Sequence, residues 1–550
     1  MRRPPAAWEV MPKTPMDTFV YAYPDEPITM DPAIAFDWGS LRCIRLMYER
    51  LIEYDGESIT EFKGVLAESW EFLEDGTVLR FHLRKGVKFH CGHELTAEDV
   101  KFSMERLLTL GLGPSYIFEP VIKEVRVVDK YTVDFVLTYP APDMLERFAG
   151  QWGFYVVCKE CVEAHATDDD PWATKWMHDH ECGTGPYKLV EWRHGEYQSF
   201  EAFDDYWRGW AGKHIRRVLF KWVKEPATAR MLLMRGEIDA AHMLTTEMFR
   251  DLVDNPVSGI TVYVKPSMLT LYMFMPCQKP PFNNKYLRKA ISYAYDYDAL
   301  IDALGGFAEQ LRGVLPSIMW GWDPECPMYK RDLEKARHYM ELAGYPDGLP
   351  EPIQVYYVVG DDPERKACEV LAASLADIGI DVEIVAVSWP SLEEKFTAGP
   401  TETVPYMFYW TPDWPHPWDW FYFMFHGDQW PTRLGYYNGM YYENDTVDAL
   451  IDQLKTELDR DKAVELSHKI QRLIVDDAPC LFLVEIDYLL AMGEWVKGYW
   501  YNPMYVYTFP CYDMYKEVPG GGAAAGYYDD APLALLDRPE LLLATPPSFI

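Results

Sequence analysis

The sequence contains no apolar run long enough to cross a membrane, and its charge is strongly unbalanced. No uninterrupted apolar stretch reaches the ~18 residues that a membrane-spanning helix requires. Lysine and arginine together number 52, against 86 aspartate and glutamate residues, which leaves a net charge of -34. Such an acidic excess repels phosphate backbones. These absences predict a soluble folded body without a membrane span and argue against binding to nucleic acid.

The sequence signatures of common enzyme active sites are also absent. There is no G-x-S-x-G, no H-E-x-x-H, no Walker loop and no G-x-G-x-x-G that precedes a helix. Acidic pairs such as Asp204 and Asp205 are common in a chain with 86 carboxylates, so they give no support to a hydrolase that uses paired carboxylates. The sequence therefore predicts a protein that is not an enzyme and needs no cofactor.

No secretory signal is visible as the sequence is written, because no apolar region follows the two arginines of MRRPPAAWEVMPKTP. The ten cysteines follow no regular framework. One group invites chemistry, since Cys158 and Cys161 are two residues apart and Cys182 follows them. This spacing permits a zinc site, or a disulfide between Cys182 and one of the pair. We expect the disulfide if the protein is exported, with zinc as the second choice.

Apolar residues make up 49% of the 550 residues, which is enough for several core-forming units. Thr96, with Asp99 at the third helical position, predicts the start of a helix. The segment VIKEVRVVDKYTVDFVL predicts a β-hairpin with Asp129 and Lys130 at its tip. Further on, DPERKACEVLAASLADIG predicts a helix that ends at Gly379 and leads into the alternating strand IDVEIVAV. This helix-to-strand succession predicts an α/β fold.

Nine segments together carry a family resemblance, and they run from about residue 16 to about residue 517. They are MDP (30–32), YERLIEYDG (48–56), LAESWEFLEDGTVLRFHLRKGVKFHCGHELTAEDVKFSMER (66–106), GTGPYKLVEW (183–192), YWRG (206–209), RGEID (235–239), KPPFNNKYLRKAISYAYD (279–296), EKARHYMELAGYPDG (334–348) and WTPDWPHP (410–417). In their order and spacing the chain resembles the extracytoplasmic solute-binding proteins of the peptide/nickel ABC importers. This family includes the oligopeptide- and dipeptide-binding proteins.

The resemblance implies a two-lobed α/β clamp, of the type II, large-cluster kind of periplasmic binding protein. Two crossover segments would join the lobes, and an extra domain would be inserted in the first lobe. Carried onto this chain, lobe I is 16–55, 183–270 and 487–517, the inserted domain is 56–182, and lobe II is 271–486. Residues 518–550 are rich in glycine, alanine and proline, and they predict a flexible tail.

The same resemblance implies a receptor that captures oligopeptides or dipeptides in the cleft between its lobes. It would deliver them to the transmembrane subunits of an ABC permease. The expected location is outside the cytoplasm, in the periplasm or on the outer cell surface, and the expected state is a monomer.

Asp413 is the best single candidate for a ligand contact. In peptide-binding relatives, an acidic residue at this position pairs with the ligand's α-ammonium group while the neighbouring backbone pairs with the peptide as an added strand. A carboxylate in a closed, low-dielectric cleft attracts a cation strongly, and backbone pairing gives affinity without reading side chains. The alternative is a turn or cap role between two prolines. The other expected ligand contacts are Trp410, Thr411, Trp414 and His416 beside it, and Ile28, Thr29 and Met30 in a facing strand from lobe I.

Two features separate this segment from a simple peptide site. His416-Pro417 stands where the family often has Asp-Pro. Eight aromatic residues cluster nearby: Trp410, Trp414, Trp418, Trp420, Tyr422, Trp430, Tyr436 and Tyr437. Such rings stack on sugars or build a core, so an oligosaccharide receptor and, behind it, a carbohydrate hydrolase stay as alternatives. Because the family includes nickel binders, His416 could be a metal ligand, but a lone histidine is more often a hydrogen-bonded loop residue, and no metal is predicted.

Overall fold

The computed structural model of the protein describes residues 10–433 and 435–518. The predicted tail lies outside this part of the chain, apart from Val518. None of the helices in the two described ranges is both long and apolar enough to cross a membrane.

Twenty-one strands are formed in the described residues. They are β1 (Thr18–Tyr23), β2 (Ile52–Tyr54), β3 (Phe62–Gly64), β4 (Ala67–Leu73), β5 (Val78–Leu83), β6 (Ile122–Asp129), β7 (Thr132–Leu137), β8 (Tyr187–Arg193), β9 (Tyr197–Ala202), β10 (Arg217–Trp222), β11 (Ala240–Ala241), β12 (Ile260–Lys265), β13 (Thr270–Phe274), β14 (Ala308–Gln310), β15 (Ile353–Val358), β16 (Val382–Val387), β17 (Tyr406–Trp410), β18 (Cys480–Ile486), β19 (Tyr488–Gly493), β20 (Val496–Lys497) and β21 (Tyr515–Lys516).

Sixteen α-helices accompany the strands in the same ranges. They are α1 (Trp38–Met47), α2 (Ala97–Leu110), α3 (Ser115–Phe118), α4 (Met144–Ala149), α5 (Lys159–His165), α6 (Thr174–Met177), α7 (Pro226–Met234), α8 (Thr246–Asp254), α9 (Lys285–Ala294), α10 (Tyr297–Ala303), α11 (Leu333–Ala343), α12 (Asp362–Ala376), α13 (Trp389–Thr397), α14 (Pro417–Phe425), α15 (Asp445–Leu454) and α16 (Arg460–Asp477). Glu74–Gly76 and Gly427–Gln429 are short 3-10 helices.

Local sequence signals placed several of these elements correctly. Helix α2 begins at the predicted capping box, in which the Thr96 amide donates to Asp99 Oδ2 (2.9 Å). Strands β6 and β7 form the predicted hairpin. Asp361 caps helix α12, since its carboxylate accepts from the Glu364 amide (2.9 Å), and the helix leads into β16, which pairs in parallel with β15. The predicted helix-to-strand unit is confirmed.

The three largest sheets of the described residues organise the fold. The first has seven strands in the order β12-β19-β11-β1-β10-β9-β8, the second has six in the order β14-β18-β13-β17-β15-β16, and the third has four in the order β4-β5-β7-β6. The strands of the first sheet lie in the ranges assigned by sequence to lobe I, those of the second in lobe II and those of the third in the inserted domain. The one exception is Thr270, a residue of β13 that falls at the end of a lobe I range. We propose those ranges as the domain boundaries.

The two crossovers between the large sheets run side by side. Residues 266–269 connect β12 to β13, and Asp487 connects β18 to β19. The Ile486 amide donates to the Leu269 carbonyl (2.9 Å), and Ser267 Oγ donates to the Ile486 carbonyl (2.5 Å). The predicted two-lobed α/β architecture with two crossovers is therefore present in the structure.

A buried ion pair ties the inserted domain to lobe I. Arg106 on α2 donates from Nη1 and Nη2 to both carboxylate oxygens of Asp31, at 2.7 and 2.5 Å. The side chains are 1% and 0% exposed. Arg106 also donates to the Trp172 carbonyl from Nε and Nη2, at 3.0 Å each. Since both charges are removed from water, each depends on the other for its stability.

We expect Arg106→Met to lower the free energy of unfolding by about 3–5 kcal/mol, because it leaves the buried Asp31 carboxylate without a partner. Urea unfolding measures this change. A matched control is Arg126→Met, which removes a surface ion pair to Glu124 in the same domain. That control should have a much smaller effect, because exposed ion pairs contribute little to stability. Equal losses in the two variants would contradict the role of the buried pair.

Candidate ligand-binding site

Asp413 lies in the loop 411–416, which connects β17 to α14. Strand β17 pairs antiparallel with β13, and the pairing of Thr270 with Trp410 marks the last ladder position before the loop. At the other end His416 caps α14, since its Nδ1 accepts a hydrogen bond from the Trp418 amide (3.1 Å). A strand end and a helix cap therefore fix both ends of the loop.

The Asp413 carboxylate is almost fully buried, with 8% of the residue exposed. The Tyr116 hydroxyl donates a hydrogen bond to its Oδ2. Burial raises the pKa of Asp413 to about 7, against the lowering effect of Tyr116 and of the Arg147 charge. Within residues 10–433 and 435–518, no lysine, arginine or histidine forms an ion pair with this carboxylate. It is thus a buried acidic group without a cationic partner.

A second carboxylate lies behind the first. Asp419 on α14 is wholly buried, and desolvation, together with the charge of Asp413, raises its pKa well above the usual value. Two carboxylates close together cannot both ionise cheaply, because their charges repel in a low dielectric. A positively charged group that comes close to these two carboxylates is therefore stabilised.

The loop that carries Asp413 packs against the inserted domain. The side-chain amide of Gln151 donates to the Pro412 carbonyl (3.0 Å), and Trp414 Nε1 donates to Asp143 Oδ2 (3.0 Å). The guanidinium carbon of Arg147 lies 4.0 Å from the centroid of a Trp414 ring. Gly150 allows this approach, since a Cβ at that position would lie 2.6 Å from the Asp413 carbonyl oxygen. Asp413 is therefore held where lobe II meets the inserted domain.

Tyr116 belongs to a chain of aromatic rings that passes from lobe I through the inserted domain to lobe II, which we call the aromatic chain. Its successive centroids are 5.3, 5.5, 4.5, 5.8 and 6.0 Å apart in the order Tyr507, Trp38, Trp152, Phe36, Tyr116 and Phe423. Phe36 is 40% exposed, so the aromatic chain presents apolar surface to solvent beside the Asp413 carboxylate. Such surface suits the side chains of a bound ligand.

The expected facing strand from lobe I is not formed, and that part of the prediction is wrong. The amides of Ile28 and Thr29 both donate to Ser40 Oγ, at 2.9 and 3.1 Å, and the Met30 amide donates to the His178 carbonyl (2.9 Å). Because these donors are already engaged, the segment cannot present them as a strand edge. Ile28 is 65% exposed, whereas Thr29 and Met30 are buried. Contact of these three residues with a ligand stays a prediction.

The aromatic residues around Asp413 mostly build the core of lobe II. All five tryptophans of this group, Trp410, Trp414, Trp418, Trp420 and Trp430, are less than 10% exposed. Tyr422, Tyr436, Tyr437 and Thr411 are only partly buried. The ligand contacts predicted for Trp410, Thr411 and Trp414 stay predictions.

His416 has a structural explanation in the helix cap. It is 3% exposed, and burial lowers its pKa to about 3, so the ring is neutral at physiological pH. Its Nδ1 is occupied by the hydrogen bond from Trp418. Its predicted contact with ligand stays a prediction.

Sequence reasoning missed the residues that surround Asp413 from the inserted domain. Tyr116 lies 297 positions before Asp413, and Gln151 lies 261 positions before Pro412. No periodicity or spacing in the sequence connects positions so far apart. The cysteine group also differs from expectation, because all ten cysteines are free thiols and Cys182 forms no disulfide with Cys158 or Cys161.

Asp413 should make stability depend on pH. Its native pKa of about 7 lies above the ordinary 3.8, so the native state holds a proton between pH 4 and 7 that the unfolded state releases. The contribution of Asp413 is therefore fully present below about pH 4 and is lost as the pH rises through 7. We expect Asp413→Asn to reduce the stability gained between pH 8 and pH 5 by about 2–3 kcal/mol.

Urea unfolding at the two pH values tests this expectation. Asp381→Asn, which alters an exposed carboxylate in the same lobe, is the control and should leave the pH dependence unchanged. The same pH dependence in wild type and Asp413→Asn would contradict the raised pKa.

Comparison with known proteins places this geometry in a family. The family model for bacterial extracellular solute-binding proteins, family 5 (middle), matches residues 61–432. A relative named "Probable D,D-dipeptide-binding periplasmic protein DdpA", from Escherichia coli strain K12, is 30% identical over 508 residues, which are 91% of this chain and 95% of the relative. Heme-binding protein A of Haemophilus influenzae is 26% identical over 510 residues, which are 88% and 90% of the two chains.

A solved structure shares the two-lobed fold. The ABC transporter-associated periplasmic binding protein DppA from Helicobacter pylori, in complex with the peptide STSA, superposes with a TM-score of 0.76 at 26% identity. The match covers 91% of this chain and 98% of that one. The fold class and the family predicted from the sequence are both confirmed. The chain belongs to the bacterial extracellular solute-binding proteins of family 5.

Proposed function

We propose that the protein is the substrate-binding component of an ABC importer and that it captures short peptides between its two lobes. The relative that is 30% identical is named for D,D-dipeptide binding, and the similar solved structure holds the peptide STSA. The observation that carries the proposal is the Asp413 carboxylate, which is buried between lobe II and the inserted domain and forms no ion pair with a described residue.

The α-ammonium group of a peptide supplies the charge that this carboxylate lacks. An ionised carboxylate buried alone is costly, and a hydrogen-bonded cation offsets that cost. The hydroxyl of Tyr116 keeps one oxygen of Asp413 in a fixed orientation, so the carboxylate is already placed before a ligand arrives. The aromatic chain, with the exposed ring of Phe36, lies next to this position and suits apolar side chains of the peptide.

Capture would use the two side-by-side crossovers as a hinge. Hinge closure around a ligand needs a few connecting residues that absorb the change in backbone angles, and residues 266–269 and Asp487 are the connections between the two large sheets. The closed form would then dock on the transmembrane subunits of the permease. We propose that this cycle takes place outside the cytoplasm and that the protein acts as a monomer.

The affinity for peptides should depend on the Asp413 charge. We expect Asp413→Asn to weaken binding of a dipeptide with a free amino terminus at least ~30-fold, which corresponds to about 2 kcal/mol. The N-acetylated form of the same dipeptide should bind weakly to wild type and should lose little further affinity in the variant. Isothermal titration calorimetry measures both. Asp428→Asn, with an exposed carboxylate, should bind like wild type.

Two results would contradict the proposal. An unchanged dissociation constant in Asp413→Asn would remove the assigned contact. Binding or turnover of oligosaccharides, without a response to any short peptide, would move the protein to another ligand class or to an enzyme.

Peptide binding should weaken in acid with a defined midpoint. Because Asp413 has a pKa of about 7 in the free protein and the ligand binds its ionised form, affinity should fall about tenfold per pH unit below about pH 7. Above pH 7 the affinity should stay constant until the amino group of the ligand loses its proton. Tyr116→Phe removes a hydrogen bond that favours the ionised carboxylate, so the midpoint should move to higher pH.

Calorimetry across pH 5–8 gives the profile, and Asp413→Asn is the control because its amide does not titrate. A level profile in wild type, or an equally steep profile in Asp413→Asn, would contradict the assignment.

A further inference from the structure

Three potential metal ligands converge in the inserted domain, far along the sequence from one another. Cys91 and His93 lie in the connection between β5 and α2, and Cys158 directly precedes α5. The two sulfur atoms are 3.4 Å apart. His93 Nδ1 lies 3.6 Å from the sulfur of Cys91 and 3.5 Å from that of Cys158. One imidazole nitrogen and two sulfurs therefore face a common point.

Cys161 is the candidate for a fourth donor atom. It lies one turn after Cys158 on α5, so the two cysteines have the C-x-x-C spacing that many zinc sites use.

The second ring nitrogen of His93 is held by a carboxylate. Its Nε2 lies 3.0 Å from Glu160 Oε2. A histidine that binds a metal commonly donates its other nitrogen to a carboxylate, which fixes the tautomer and leaves the first nitrogen free to coordinate. Here that arrangement leaves Nδ1 directed at the sulfurs of Cys91 and Cys158.

We propose that Cys91, His93, Cys158 and Cys161 bind one zinc ion. Three thiolates and one imidazole form a common closed tetrahedral zinc site, and soft sulfur ligands select zinc over harder cations. A Zn–S distance of about 2.3 Å separates the ligands of a tetrahedron by about 3.8 Å. The observed separations of 3.4, 3.5 and 3.6 Å differ from that by a few tenths of an ångström.

The position of the site indicates a structural role. Cys158 donates from its amide to the Cys182 carbonyl (3.1 Å), and the amide of His90 donates to the carbonyl of Gly183 (2.8 Å), where the chain leaves the inserted domain. A zinc ion would therefore join the turn before α2 and the start of α5 to the exit segment. Short helices and long irregular connections make up residues 150–182, so a metal adds order that the local sequence does not supply.

A disulfide is the competing chemistry, because extracytoplasmic proteins are exposed to oxidising conditions. A Cys91–Cys158 disulfide would bring the sulfurs to about 2.05 Å and would leave His93 and Cys161 without a function at this position. Three donor atoms around one point, with a further cysteine one turn away on α5, are better explained by a metal.

Metal analysis and a thiol count separate the two. We expect elemental analysis of the protein, purified without chelator, to find one zinc per chain. Alkylation in guanidinium chloride with EDTA and without reductant should then modify all ten cysteines. Two fewer modified cysteines and no zinc would establish the disulfide and overturn the proposal. Ten free thiols with no zinc, even after incubation with Zn²⁺, would overturn it as well.

Single substitutions test the ligand set. Cys91→Ser, His93→Asn, Cys158→Ser and Cys161→Ser should each lower the zinc content at least severalfold. Cys277→Ser in lobe II is the matched control, since it changes another partly buried thiol and should keep one zinc. Cys182→Ser should also keep it. Loss of zinc in Cys182→Ser with retention in Cys161→Ser would show that the fourth ligand is wrongly assigned.

Cobalt substitution keeps the proposal testable if a variant fails to fold. Wild-type protein stripped of metal and titrated with Co²⁺ should develop sulfur-to-metal charge-transfer absorption and the visible bands of a tetrahedral site, saturating at one equivalent. Restored Zn²⁺ should remove these bands and raise the thermal midpoint of the stripped protein. Absorption of an octahedral Co²⁺ ion without charge transfer would overturn the assignment.

Discussion

The buried pair between Asp31 and Arg106 is the interaction on which the arrangement of the domains depends. It joins lobe I to α2 of the inserted domain, and Arg106 extends the connection to the Trp172 carbonyl. Asp31 also accepts from the Ala33 amide (3.0 Å), which fixes the bend after β1. Because neither charge has access to water, the pair tolerates no relative displacement of the domains without a large desolvation cost. It holds the inserted domain, and with it Tyr116, in a fixed position relative to lobe I.

Asp413 shows the opposite use of a buried carboxylate. Asp31 has a guanidinium partner within its own chain, whereas the carboxylate of Asp413 has a tyrosine hydroxyl and a raised pKa. A buried carboxylate without an ion-pair partner costs free energy, and proteins commonly keep such a group at a functional site, where a ligand can pair with it. The cysteine and histidine group is a third case, for which we propose a metal ion as the partner. Two of these three sites thus require something that the chain does not carry.

Much of the fold could be predicted because its signals are local. The capping box of Thr96 and Asp99, the turn at Asp129 and Lys130, and the stop at Gly379 each depend on neighbouring residues, and the structure contains the elements they predict. The prediction of a facing strand at Ile28 was wrong because it depended on a contact outside the local sequence. A hydroxyl twelve residues further on, at Ser40, takes two of the amides that a strand would present, and nothing in the local pattern shows this.

The sequence by itself determined the family and the α/β class, because collinear motifs and short-range turn and cap chemistry specify them, and it predicted the lobe ranges and the ligand contact of Asp413. Only the tertiary structure decided what surrounds these residues. It placed Tyr116 on Asp413 across 297 positions, buried the five tryptophans of the same region, and brought Cys91 and His93 to Cys158. The physical reason is that burial, pKa and ligand geometry arise from contacts between distant segments, and a linear sequence does not display those contacts.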